Sequence, residues 1–193
     1  MQASALQAEL ERCGALRLGH FVLSSGLHSP AYVQSALLLQ DPSRARRVGR
    51  ALSQRLAPYA PDSVLSPAIG GLVIGHEVAE ALGVPFRFVE RRQGRMSLRR
   101  GFELEPGERI VVVEDVVTTG GSIREAASAA GAEGARLTAV GAILDRSAGG
   151  NLFPVPFEAL LSLDLPTYEP EACPLCRQGV AAETPGSREA RRG

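Results

Sequence analysis

Ile110-Val111-Val112-Val113-Glu114-Asp115-Val116-Val117-Thr118-Thr119-Gly120-Gly121-Ser122 is the stretch around which the rest of the chain can be ordered. Four β-branched residues in a row read as a strand buried on both faces. Two adjacent acids end that run. A loop of hydroxyl and glycine residues then opens a helix predicted over Ser122 to Ala130, with Gly131 as its stop. In doubly wound sheets ligands bind beyond the carboxyl ends of the strands, which is where this loop falls. Its glycines let backbone N–H groups close on an anion. The hydroxyls of Thr118, Thr119 and Ser122 add donors, and the helix N-terminus adds partial positive charge. The pattern is a phosphate cradle. Neither G-x-G-x-x-G nor G-K-[ST] occurs, so dinucleotide and Walker-type binding are not indicated.

The acids need a separate explanation, because carboxylates beside a phosphate repel it. Glu114 and Asp115 could simply cap the turn. They make chemical sense if the ligand also brings a vicinal diol, whose hydroxyls donate to carboxylates, or a metal ion. They could also stabilise a centre that becomes positive during reaction, such as an oxocarbenium ion.

Outward from this segment the chain alternates. Short strands are predicted at Val64-Leu65, Phe86 to Val89, Leu137 to Leu144 and Ala159 to Leu163, with a helix over Leu72 to Leu82 stopped by Gly83. Strands separated by helices of about ten residues mean βαβ units and a parallel sheet covered on both faces. Upstream, a helix is expected from Ser4 to Cys13, with a Ser4/Gln7 capping box and Gly14 as its stop. Leu16 to Leu39 reads as strand-like, broken at Ser24-Ser25-Gly26 and Pro30. Asp41-Pro42 then caps a helix carrying Ala45, Val48, Leu52 and Leu56 on its core face. One domain is expected over residues 1–182, and the polar tail 183–193 is expected to be disordered.

Composition narrows the function classes. A hydrophobic share of 45% with 22% charged residues is that of a soluble globular protein, and no apolar run is long enough for a bilayer. The N-terminus does not read as a signal peptide, so the cytoplasm is the expected location. Net charge is zero, against a protein that coats nucleic acid. The chain has no lysine, so Schiff-base chemistry is excluded and every basic task falls to arginine. Cys173-Pro-Leu-Cys176 has half the spacing of a four-cysteine metal site, with no second pair in the chain. A surface turn, a redox pair or a zinc site shared across a dimer all remain open for it.

Two further stretches bear on the cradle. Ser66-Pro67-Ala68-Ile69-Gly70-Gly71 joins a strand to a helix, so its backbone can also face an anion. Arg91, Arg92, Arg95, Arg99 and Arg100 crowd one segment between strands. That run is either a solvated hairpin or a mobile lid that neutralises a polyphosphate and excludes water.

The order strand, two acids, two branched residues, T-T-G-G-S and helix resembles the donor-binding signature of the type I phosphoribosyltransferases. Gly19-His20-Phe21-Val22-Leu23-Ser24-Ser25-Gly26-Leu27-His28-Ser29-Pro30-Ala31-Tyr32 is similar to the N-terminal motif of the orotate phosphoribosyltransferases, and the likeness runs from about residue 12 to residue 150. The resemblance implies a type I fold, with a central mostly parallel sheet flanked by helices, a small N-terminal hood and a flexible hairpin lid. It implies transfer of ribose-5-phosphate from 5-phosphoribosyl 1-diphosphate (PRPP) to orotate, with Mg²⁺ carried on the donor and no direct metal ligands. By position, Glu114, Asp115, Val116, Val117, Thr118, Thr119, Gly120, Gly121, Ser122, Ile69, Gly70 and Arg91 would bind PRPP. Thr118, Arg146, Ser25, Gly26 and Tyr32 would bind orotate, and Glu114, Asp115, Arg92 and Arg95 would act in catalysis.

An arginine fork at position 146 suits the carboxylate that sets orotate apart from most bases. By the same resemblance the lid arginines, Arg91, Arg92 and Arg95, would reach into a neighbouring subunit's site, which implies a homodimer. The chain departs from the family pattern at Ser24, where many members carry lysine, and at Ser97, where many carry histidine. A purine phosphoribosyltransferase remains open, as does a PRPP-sensing regulator that binds nucleic acid, although the sequence carries no added basic segment for the latter. A structural protein that binds pyrophosphate has nothing specific in its favour.

Overall fold

The structure is a computed structural model that describes residues 1–23, 26–147, 149 and 151–185. Its centre is a six-stranded sheet in the order β5-β4-β3-β6-β7-β8, formed by β3 (Ser63–Pro67), β4 (Phe86–Arg92), β5 (Arg95–Leu98), β6 (Arg109–Val117), β7 (Arg136–Asp145) and β8 (Phe157–Ser162). All neighbours pair in parallel except β4 and β5, which form an antiparallel hairpin at one edge. The mostly parallel α/β sheet predicted from alternation is therefore present. Strand order reverses between β3 and β6, and a crevice opens at such a switch point beyond the strand ends.

Strand alternation divides β6 between two cores. Val111 and Val113 face one cluster with Leu52, Leu56 and Val78, from helices α3 (Pro42–Leu56) and α4 (Gly71–Leu82). Ile110 and Val112 face the other, with Ile123 and Ala126 of α5 (Gly121–Ala132). All four β6 residues are fully buried, which at about 25 cal/mol per Å² makes this strand a principal hydrophobic anchor of the sheet. Among the described residues no helix is long and apolar enough to cross a membrane.

A second, two-stranded sheet of β1 (Leu16–Val22) and β2 (His28–Val33) forms the hood, with α1 (Ala3–Arg12) and α2 (Ser35–Leu39) beside it. Several local expectations change. Helix α1 starts from Gln2 without a side-chain cap, so the Ser4/Gln7 box does not form: Ala5 and Leu6 donate to the Gln2 carbonyl instead. Pro30 lies inside β2 rather than breaking it, opposite the register shift between Leu18 and Phe21, where no ladder donor is required. Ser35 to Leu39 is helical and not strand-like; five residues with Leu38 and Leu39 buried carry no period that separates the two. Helix α5 runs past Gly131, and Gly134 takes the left-handed turn. Asp41 caps α3 as expected, accepting from the backbone N–H groups of Ser43 and Arg44.

The C-terminal segment is stitched to the hood. Tyr168 exchanges both backbone hydrogen bonds with His28, at 2.8 and 2.9 Å. Glu183, placed in the tail by sequence, pairs with β1 through His20 and Val22 and forms an ion pair with Arg17 at 2.6 Å. Between these stitches lies a one-turn helix, α6 (Pro174–Arg177). Residues 186–193 of the expected tail lie outside the described residues.

Candidate active site

The cradle is built by the end of β6 and the start of α5. Gly120 takes φ +72° at the helix N-cap, where it offers no side-chain cap, so the first N–H groups of α5 are left for another acceptor. A Cβ at Gly120 would also lie 2.8 Å from the Phe153 ring. Glu114, Val116, Val117, Thr118, Thr119, Gly120, Gly121 and Ser122 line a cavity of about 260 Å³ there, with Arg91 on its far wall. Arg91 is held by Glu125 of α5 at 2.8 Å and donates to the Gly94 carbonyl at 2.9 Å.

The two acids face neighbouring glycines of the β3–α4 loop: a Cβ at Gly71 would lie 3.1 Å from Glu114 Oε1, and the Asp115 N–H donates to that same oxygen at 3.3 Å. Glu114 is 8% exposed and lines the cavity. Burial, reinforced by the neighbouring charge of Asp115, pushes its carboxyl up to about 8. Asp115 meets the same loop and also the hood. The Ser35 hydroxyl donates to its Oδ2, and the Val116 N–H donates to its Oδ1 at 2.8 Å. Gly70 passes so close that a Cβ there would sit 2.7 Å from Asp115 Oδ1, which explains the glycine. The preceding Ala68–Ile69 peptide is cis, and Ile69 is exposed at the loop tip.

A second cavity, of about 640 Å³, adjoins the first and shares Thr118 and Thr119 with it. Tyr32 and Arg146 line it, together with Leu23, Leu27 and the strap of residues 164–167. Arg146 reaches this position because its N–H continues the β6–β7 pairing by donating to Val117 O at 2.8 Å, after which Ser147 N–H closes a turn onto Asp145. Its Nε is buried with no hydrogen-bond partner among the described residues, and burial pulls the guanidinium below its ordinary value. A buried, unpaired fork donor beside an open cavity is a receptor for a planar anion.

The remaining expected residues are placed less directly. Gly26, at φ +86°, forms the tip of a turn in which Leu23 N–H donates to Leu27 O, and it is the flanking leucines that line the cavity. Ser25 and Ser24 lie outside the described residues. Arg92 and Arg95 are exposed on the β4–β5 hairpin, and Arg95 lines a separate cavity against Glu125 and Glu133 rather than the cradle. Ser35, Glu125 and the strap 164–167 carry no sequence signal, and each reaches the site through tertiary contact.

A family model for the phosphoribosyl transferase domain matches residues 35–151. The chain is 52% identical over 179 residues to the orotate phosphoribosyltransferase of Thermotoga maritima, covering 93% of this chain and 96% of the relative. The chain belongs to the orotate phosphoribosyltransferase family. A family member from Thermus thermophilus is 53% identical, over 89% of this chain and 94% of its own. The crystal structure of the Aeropyrum pernix orotate phosphoribosyltransferase superimposes with a TM-score of 0.70 at 29% identity, covering 82% of this chain and 93% of that one. The type I phosphoribosyltransferase fold expected from sequence is thus the observed one.

Proposed function

We propose that this chain transfers ribose-5-phosphate from PRPP to orotate, giving orotidine 5′-monophosphate and pyrophosphate in pyrimidine biosynthesis. One observation carries the reading: the phosphate cradle and the cavity holding the unpaired Arg146 share a wall, Thr118-Thr119. A sugar phosphate in the first cavity therefore presents its anomeric carbon toward a base held in the second. The family relationship supplies the donor and the base.

The chain acts by positioning and by fixed charge. The hydroxyls of Thr118, Thr119 and Ser122 and the N-terminus of α5 hold the 5′-phosphate. The Ile69-Gly70 backbone and Arg91 serve the pyrophosphate. Glu114 and Asp115 take the ribose hydroxyls and stabilise the positive sugar as pyrophosphate leaves. Arg146 orients orotate through its carboxylate, with Tyr32 and Gly26 on the hood side. The carboxylate and hydroxyl oxygens of this lining suit a hard cation carried in on the donor. Mg²⁺, carried on the donor's oxygens, would neutralise the departing pyrophosphate. No covalent nucleophile is required.

Arg92 and Arg95, remote from their own cradle, fit a lid that completes the site of a second subunit in a homodimer. The cytoplasm is the location that suits this metabolism. A panel of orotate, adenine, hypoxanthine and uracil with PRPP and Mg²⁺ tests base choice. Consumption of orotate alone is expected, and preference for a purine would overturn the assignment.

A further inference from the structure

His20, His28, Cys173 and Cys176 meet away from both cavities, their ligand atoms all within 4.8 Å of one another. We propose that they bind a structural zinc ion that fastens the C-terminal strap to the hood.

The distances suit a tetrahedral centre. Zinc with Zn–S of ~2.3 Å and Zn–N of ~2.0–2.1 Å holds its ligand atoms roughly 3.3–3.8 Å apart. Here His20 Nε2 lies 3.5 Å from Cys173 Sγ and 3.7 Å from Cys176 Sγ. His28 Nδ1 lies 3.3 Å from Cys176 Sγ and 2.8 Å from His20 Nε2. The imidazole pair, at 2.8 Å, is the contact that must open most among these four to admit the ion. Two thiolates and two imidazoles form the donor set of closed structural zinc sites, with no position left for substrate.

The hydrogen bond on the far side of one ring prepares it for a metal. His20 Nδ1 is 2.7 Å from the Val180 carbonyl, which can only accept, so Nδ1 carries the proton and Nε2 presents a lone pair. That outer contact fixes the tautomer a metal needs. The Nε2 lone pair then faces His28 and both sulfurs, and one cation satisfies all four groups together. His20 and Cys173 are 3% and 0% exposed, His28 is buried, and Cys176 forms the outer face. The second half of the Cys173-Pro-Leu-Cys176 site is thus supplied by two histidines of the same chain. Binding displaces the two thiol protons to solvent.

The position of the cluster suggests its purpose. Leu23 and Leu27 lie between the two histidines in sequence, and residues 164–167 run directly into the stitched segment; both line the cavity assigned to orotate. The ion would hold two walls of that cavity in register. This role rests on the proposed function, whereas the metal site does not.

The test is elemental analysis of the purified chain, followed by chelation and titration of the metal-free protein with Zn²⁺ and with Co²⁺ alone. Stoichiometric zinc is expected, with cobalt giving the visible bands and thiolate charge-transfer band of a tetrahedral site, and a thermal midpoint that falls on chelation and returns with zinc. Cys176→Ser, at the exposed ligand, should lose the cobalt thiolate signature and raise the KM for orotate several-fold without moving that for PRPP. Metal-free protein that keeps its midpoint and gives no cobalt bands would overturn the site, as would a mass lower by two hydrogens from a Cys173–Cys176 disulfide. Because metal content needs no turnover, a chain that binds zinc but leaves orotate untouched would sink the functional reading alone.

Discussion

The Ser35 hydroxyl donates to Oδ2 of Asp115, tying the helix that follows the hood to the carboxyl end of β6. This bond holds the Asp115 carboxyl beside Gly70. An amide at position 115 keeps the shape and loses the charge. Asp115→Asn is therefore expected to lower turnover on the order of 10²-fold or more, the scale for removing one preorganised electrostatic partner. Its thermal midpoint should stay within a few degrees of the parent. Steady-state kinetics beside a melting curve check both halves, and unchanged turnover would remove Asp115 from the chemistry.

Glu114 gives a pH dependence of definite sign. Its carboxyl, raised from 4.5 to about 8 by burial and by Asp115, keeps its proton in the folded chain where an unfolded chain has lost it. Between those values the folded state holds the extra proton, so stability falls as pH rises through the window, and the contribution is full only below it. Denaturation from about pH 5 to about pH 9 should show this slope, and Glu114→Gln should flatten it. If Glu114 accepts from the ribose hydroxyls as a carboxylate, PRPP binding at neutral pH also expels a proton. Calorimetry in two buffers of different ionisation enthalpy reads that directly.

Arg146 separates base binding from donor binding. Its Nε is unpaired and buried in the cavity beyond Thr118-Thr119. Hydrogen bonds to a charged group contribute ~1.5–3 kcal/mol, so Arg146→Ala should raise the KM for orotate on the order of tenfold to a hundredfold. The KM for PRPP should hardly change. Lysine should restore little, because it lacks the planar fork. Equal losses for both substrates would assign Arg146 to the fold instead.

The β4–β5 hairpin carries Arg92 and Arg95 outside their own cradle. A chain with Arg92→Ala and Arg95→Ala should be nearly inactive, as should Asp115→Asn. Mixed and allowed to exchange subunits, the two should regain activity, because one site of the mixed dimer then has both an intact acid and an intact lid. Absence of any recovery would place the lid over its own site or exclude the dimer.

What the sequence made legible was local. The run Ile110 to Ser122 carried its own strand, acids, glycines and helix start within thirteen consecutive positions; strand and helix form there, although β6 continues through both acids to Val117 and α5 starts at Gly121. Asp41-Pro42 likewise announced its helix. Groups that meet across long separations left no such trace. Ser35 and Asp115 are 80 positions apart, and His20 and Cys173 are 153 apart. Each looks ordinary alone, a serine after a strand or a histidine in a hairpin. Periodicity sees one element at a time, so it could not show that the strap 164–167 closes the same cavity as Leu23 and Leu27. The adjacency of Glu114 and Asp115 suggested one shared site, and both carboxyls do meet the β3–α4 loop. The contacts that hold them there, from Ser35, Gly70 and Gly71, left no mark in the run itself.

The most direct measurement follows the ultraviolet absorbance of orotate alongside pyrophosphate release, with PRPP and Mg²⁺ each withheld in turn. The proposed transfer requires that orotate disappears and pyrophosphate forms in equal amounts, only when donor and metal are both present. Intact orotate under those conditions, in a chain that still binds PRPP, would contradict it.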